Sequence, residues 1–326
     1  MPTDESTDAS TDQLIPEAHR LGDLVNGHPE HIDEVVPRLV AILTATDHPQ
    51  VVHAAVDALG HAWHSSAATA LLHHVAPDHP DSHVRLSLAQ ALPGGVDDVD
   101  ATDDLRDRVI DVLIHLTRDP EPPVRDWAAF GLGQLQARSL SALDALAARL
   151  ADPDPDTRGE ALLALAEVGD QRALPVLRRR LEDGEDLFRL ELEAAAALAA
   201  PELHPALQQL AEDWAGDQDE FSDLLATALA RCAPEAATTA RQVEQDVLTQ
   251  VHQLVGASKQ VGLDGGYPRT VLIINSDSPS GSSGTTGGGQ GEDFHLALWD
   301  ESQRPGEYPT HDVINAVRGS STQPQA

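Results

Sequence analysis

Of 326 residues, 54 are Asp or Glu and 21 are Lys or Arg, a formal net charge of −33, and Lys259 is the single lysine. So acidic a chain repels phosphate backbones and anionic membrane surfaces, whose recognition rests on Lys and Arg, and this excludes nucleic acid and membrane as partners. Its one cysteine, Cys232, excludes an intrachain disulfide. The Asp-rich, Lys-poor balance suits a salt-rich cytoplasm, where counter-ions screen self-repulsion, or a compositional bias of the genome.

Residues 1–13 are acidic and rich in Ser and Thr, with no apolar core of a signal peptide, and read as a disordered N-terminus. No apolar run approaches the roughly 18 residues of a membrane span. The expected location is the cytoplasm. Residues 14–25 (LIPEAHRLGDLV) predict a short amphipathic helix that caps the first repeat.

Beyond that helix the chain repeats itself. The stretch from Asp119 to Asp170 holds one pattern twice: an Asp-Pro turn, a Val-Arg or Thr-Arg pair, small and aliphatic residues at helical spacing, and a Gly. Arg125 is followed at +3, +6 and +7 by Ala128, Gly131 and Leu132, and Arg158 by Ala161, Ala164 and Leu165. Arg85 (Leu88, Ala91, Leu92) and Arg189 (Leu192, Ala195, Ala196) repeat the pattern, and Val52 and Ser222 stand in the Arg place of two weaker copies. The anchors are 33, 40, 33, 31 and 33 residues apart, and the long step holds a loop that begins at Pro93-Gly94-Gly95. A first helix precedes each turn, over residues 35–44, 66–75, 104–117, 140–150, 173–181 and 203–214, with aliphatic residues at three and four. Helix, tight turn and helix at this period predict an all-α fold, a right-handed α-solenoid of about six hairpins over residues 14–257. A closing helix is expected from Thr239, opened by a capping box of Thr239 and Gln242.

Residues 258–326 change register. The runs 270–276 and 294–299 read as strands, the Gly/Ser-rich stretch 277–293 between them as a flexible loop, and Thr310 as the cap of a short helix. A small α/β appendage is expected there.

The motif in DPEPPVRDWAAFGLG and DPDPDTRGEALLALAEVG resembles the bacterial short HEAT-like repeats, the type also found in phycobilisome lyases, over about residues 35 to 232. The resemblance implies an interaction scaffold. It also leaves open an enzyme of the chromophore-lyase kind and a nucleic-acid enzyme of the HEAT-like glycosylase kind. Both alternatives call for a basic groove, and this one reads as acidic.

The candidate residues come from the register. Arg85, Arg125, Arg158 and Arg189, with Asp81, Asp119, Asp152 and Asp183 four to six residues before them, read as a structural ladder in which planar guanidinium groups pair with turn carboxylates. Trp127 and Phe130 stand where other copies carry Ala54/Asp57, Ser87/Gln90 and Glu160/Leu163, so their rings are expected together and exposed in a chain with only 3% aromatics. With Asp57, Gln90, Asp126, Glu160 and Glu191 they form the expected partner-binding surface, suited to a protein or basic peptide. Ten of the sixteen histidines lie between His28 and His83, and His61 and His64 read as sharing a helix face after His53 and Asp57. No H-E-x-x-H or G-K-(S/T) motif occurs, so neither a metal nor a cofactor is expected, and no catalytic constellation. Cys232 reads as a buried structural residue, and two of Arg178, Arg179 and Arg180 as a solvated face near Glu182 and Asp183, with contact to an acidic segment of the chain or of a second copy as the alternative.

Overall fold

The computed structural model of the protein describes residues 5–96, 101–184, 187–214, 220–234, 259–264, 270–275 and 294–297. They fall in two compact units, residues 1–164 and 165–326.

The first unit is a double row of helices. One row holds α1 (Glu5–Gly27), α3 (Pro49–Gly60), α5 (Ser82–Gly94), α7 (Pro122–Gln134) and α9 (Pro155–Glu167), which runs on into the second unit. The other holds α2 (Ile32–Leu43), α4 (Ser65–His74), α6 (Asp103–Leu116) and α8 (Leu140–Arg149). Neighbours within each row pack side by side, α1 on α3, α3 on α5 and α5 on α7, and α2 on α4, α4 on α6 and α6 on α8. The +3 and +7 places supply the buried stripe. Ala55, Ala128 and Ala161, and Leu59, Leu92, Leu132 and Leu165, are all fully buried. Each such leucine contributes roughly 2 kcal/mol of burial.

Helix boundaries agree with the expected ones to within a few residues, with three exceptions. Helix α1 starts at Glu5, so residues 5–13, expected to be disordered, form its first turns. A Cβ on Gly22 of α1 would lie 3.0 Å from Ala58 of α3, much as one on Gly60 of α3 would lie 2.9 Å from Ala91 of α5. Helix α1 therefore packs on α3 in the row of second helices. Pro93 and Gly94 belong to the last turn of α5 and are buried, not part of a loop. The helix-face reading of His61 and His64 also fails. Helix α3 ends at Gly60, Trp63 takes φ +46°, and the His64 ring accepts a hydrogen bond from the Ser66 amide as the N-cap of α4.

Trp63 lies eleven residues after Val52, as Gln136 and Gly169 do after Arg125 and Arg158, and all three have positive φ. Each closes its helix with a left-handed residue. After α7 and α9 the chain adds a bond back to the final turn, Ala137 N–H to Leu132 O and Asp170 N–H to Leu165 O.

The second unit pairs α10 (Ala173–Asp183) with α11 (Arg189–Leu198), and α12 (His204–Asp213) with α13 (Glu220–Cys232). Cys232 is buried and donates to Ala195 O at 3.3 Å, and burial pushes its thiol up to about 12. It is the structural cysteine its position suggested. An antiparallel sheet of β1 (Lys259–Asp264), β2 (Thr270–Asn275) and β3 (Phe294–Ala297) comes next, in the order β1-β2-β3. Its register sets Lys259 opposite Asn275 and Thr270 opposite Ala297. The two expected strands are present. Strand β1 is an addition to them, because Gly262 and its terminal Lys and Asp are weak strand formers and give little signal. The expected closing helix from Thr239, the loop 277–293 and the helix at Thr310 lie outside the described residues.

Candidate functional site: an aromatic pair in an acidic row

The site is positioned by the Arg–Asp network that fixes the second-helix row. Arg125 donates from Nη1 to the carbonyls of Asp119 and Pro120 (3.0 and 3.1 Å), its own turn, and from Nε and Nη2 to both oxygens of Asp152 (2.9 and 2.7 Å), the next turn. Arg85 does the same one repeat earlier, to the carbonyls of His79 and Pro80 and to Asp119 at 2.6 and 2.9 Å. Each acceptor Asp also holds its own turn, Asp119 receiving the Glu121 amide and Asp152 the Asp154 amide. Burial works against both carboxylates, yet the hydrogen bonds from Arg85 and Arg125 and from the turn amides hold them below the usual range.

These contacts of Arg85 and Arg125 point forward, from each Arg to the following turn. The ladder is also shorter than the sequence suggested. Arg158 donates to the carbonyls of Asp152 and Pro153. Asp81 stands four residues before its Arg, not six, and caps α5 by accepting the His83 amide at 2.8 Å. Asp183 is exposed in the last turn of α10, and Arg189 is exposed and pairs with Glu193 along its own helix at 2.6 Å.

Trp127 and Phe130 project from α7 with their rings edge to face, centroids 5.4 Å apart and planes at 79°. They are 37% and 40% exposed, so the pair meets solvent instead of filling the core. Asp126, beside Trp127, is half-buried, and its Oδ1 has no hydrogen-bond partner among the described residues. Burial, followed by the charges of Asp156 and Asp154, pushes its carboxyl up to about 6. Asp154 and Asp156 lie outside the expected set. They sit at the start of α9, and their effect on Asp126 is the signal that the register alone does not give.

Along the row, Asp57 on α3 is half-buried, Gln90 on α5 exposed and Glu160 on α9 half-buried. Of the places +1, +2 and +5 on α3, α5, α7 and α9, none carries Lys or Arg: they are His53, Ala54, Asp57, Leu86, Ser87, Gln90, Asp126, Trp127, Phe130, Gly159, Glu160 and Leu163. Glu191 does not join this surface. It is 4% exposed, accepts the Phe188 amide at 2.8 Å and pairs with Arg180 at 3.1 Å, closing the start of α11. Arg178 pairs with Glu182, so the Arg178-Arg179-Arg180 run is divided between an exposed face and this buried contact.

Among the described tryptophan and phenylalanine residues, the most exposed lies outside the expected set. Trp63 is 62% exposed, and its six-membered ring rests on Gly94, where a Cβ would stand 2.8 Å from the ring. A separate hollow of about 390 Å³ lies between α6 and the α7–α8 connection, lined by Arg106, Asp107, Asp111, Arg138 and Ser139. Among the described residues no three His, Cys, Asp or Glu side chains gather closely enough to hold a metal ion, and no helix is long and apolar enough to cross a membrane.

Protein YibA of Escherichia coli, in strain K12 and in O157:H7, is 32% identical over 101 residues, 31% of this chain and 36% of that protein. The match thus spans about a third of the length of these curated relatives. The crystal structure of Escherichia coli YibA superposes with a TM-score of 0.50 at 21% identity, over 62% of this chain and 69% of that one. An engineered protein of known structure gives 0.45 at 22% identity, over 74% and 70%. The family profile of HEAT repeats matches residues 36–112 and 110–199, half of the chain. With its paired helices, forward Arg–Asp contacts and small-residue seams, this chain belongs to the HEAT-repeat family and is an all-α solenoid of that kind.

Proposed function

We propose that the chain is a non-catalytic interaction scaffold whose second-helix row holds a cationic segment of a protein partner. The observation that carries this is the solvent-exposed Trp127–Phe130 pair beside Asp126, a carboxylate with an unpartnered oxygen and two further carboxylates acting on it. Exposed rings beside uncompensated negative charge offer a guanidinium or ammonium group both a π face and a counter-ion. Nothing in that neighbourhood supplies the nucleophile, base and oxyanion donors that a reaction would need. A propionate-bearing pigment or a nucleic acid would meet like charge at Asp126, Asp154, Asp156 and Glu160, which weighs against both.

The test is fluorescence anisotropy with a labelled arginine-rich peptide at 0.15 M salt. The double variant Trp127→Ala/Phe130→Ala should lose about tenfold or more in affinity while its helical circular dichroism is unchanged, as expected for removing two aromatic anchors. Equal affinity for wild type and variant would refute the reading.

A further inference from the structure

The turn at Trp63 does not itself call for tryptophan. At the matching places after α7 and α9 stand Gln136 and Gly169, so the turn makes no demand for an aromatic ring. An L-residue at φ +46° is strained by roughly 1 kcal/mol relative to glycine. Leaving such a ring 62% exposed gains little burial to offset the strain.

The ring's position supplies a reason. It covers Gly94, which lies one helical turn beyond Gln90 on α5 and so on the same helix face. Gln90 holds the place on α5 that Phe130 holds on α7, each five residues after its arginine. The two helices are in direct contact at this level, since a Cβ on Gly131 would stand 2.8 Å from Cγ of Pro93. Trp63 thus covers the face of α5 that carries Gln90, next to α7, which carries Trp127 and Phe130. We infer that Trp63 is a second anchor of the same surface, so that the partner is an extended basic segment laid across α5 and α7 with one cationic side chain over Trp63 and another at Trp127–Phe130.

This rests on the cationic-partner reading above and sharpens it to a spacing. Neighbouring helix axes lie about 8–10 Å apart, and Gly94 and Phe130 differ by about two residues, or ~3 Å, along them, so the anchors are on the order of 10 Å apart. A polyproline II segment advances about 3.1 Å per residue with three residues per turn, so two cationic residues about three positions apart point to one side at roughly this spacing. Asp57 on α3, Asp126 on α7, Asp154 just before α9 and Glu160 on α9 supply negative charge along this row, and no Lys or Arg stands at its +1, +2 and +5 places.

The experiment uses labelled peptides with two arginines separated by zero to eight serines, so that net charge is constant and only spacing changes. Against the full chain, affinity should peak at about two intervening serines and fall several-fold at eight. Trp63→Gly should weaken the best-spaced peptide about tenfold and flatten the dependence on spacing, with no loss of thermal stability, because glycine accepts the left-handed turn. If Trp63→Gly binds every peptide like wild type while Trp127→Ala/Phe130→Ala does not bind, the second anchor is wrong and the cationic-partner reading stands. If neither variant differs from wild type, that reading falls as well. A drop in melting temperature on Trp63→Gly would make the ring a structural prop and overturn the inference.

Discussion

Asp126 titrates near 6 in the folded protein because burial, with Asp156 and Asp154 nearby, disfavours its charge. In the unfolded chain it should titrate near an ordinary ~3.9. Between those values the folded form keeps a proton that the unfolded form has released, so the contribution of Asp126 to stability declines as pH rises from about 4 to about 6. Asp126→Asn should therefore raise stability at pH 7 by about 1 kcal/mol, less than the ~3 kcal/mol implied by two pH units because the carboxyl is only partly shielded from water. Paired urea titrations at pH 7 and 4.5 check this, with the advantage of the variant shrinking at the lower pH. The same substitution removes a counter-charge from beside Trp127, so it should weaken the cationic peptide even as it stabilises the fold.

Among the elements, the forward ladder determines how each hairpin engages the next. Arg85 is the guanidinium hydrogen-bonded to the Asp119 carboxylate, whereas Asp152 is held by Arg125 and also by Arg149 at 3.0 Å. Removing one partner of a buried pair strands the other charge, at a cost of about 3–5 kcal/mol when nothing replaces it. Arg85→Met should accordingly destabilise more than Arg125→Met, by about 1 kcal/mol or more, in urea denaturation at pH 7. Equal losses would mean that Arg149 does not stand in. Acid should narrow the gap, because both carboxylates are held below the usual range and their stabilisation is lost as pH falls through their folded values.

The helical hairpins are legible in the sequence because Arg85, Arg125 and Arg158, with their followers at +3 and +7, sit in a strict register that packing imposes on every copy. The direction of the ladder is not legible, since Asp119 is as near in sequence to Arg125 as it is in space to Arg85. Glu191 is misplaced by the register where the step shortens to 31 residues: counting puts it level with Trp127, but the Phe188 amide and Arg180 claim it. Trp63 escapes the same counting because it stands in a turn, outside the helical spacing by which surface places are ranked. The rule that finds it is chemical: a tryptophan where another copy has glycine.

At the scale of the whole chain, 54 acidic residues against 21 basic ones make self-repulsion the dominant surface term, and exposed ion pairs such as Arg20–Glu17 each contribute little against it. Raising KCl from about 0.1 to about 0.5 M shortens the screening length from about 10 to about 4 Å, which removes most repulsion between exposed carboxylates while the buried Arg85–Asp119 and Arg125–Asp152 pairs are hardly screened. The melting temperature should therefore rise by several degrees, with most of the gain below ~0.5 M. A gain that began only above ~1 M would point instead to exclusion of solute from the protein surface. The same salt screens the attraction between the acidic row and a cationic segment, so peptide affinity should fall over the range in which the fold gains stability. Measuring both on one sample separates the two effects. If affinity and melting temperature rose together, the row would be binding through its rings and not through its charge, and the partner would have to be sought among apolar segments.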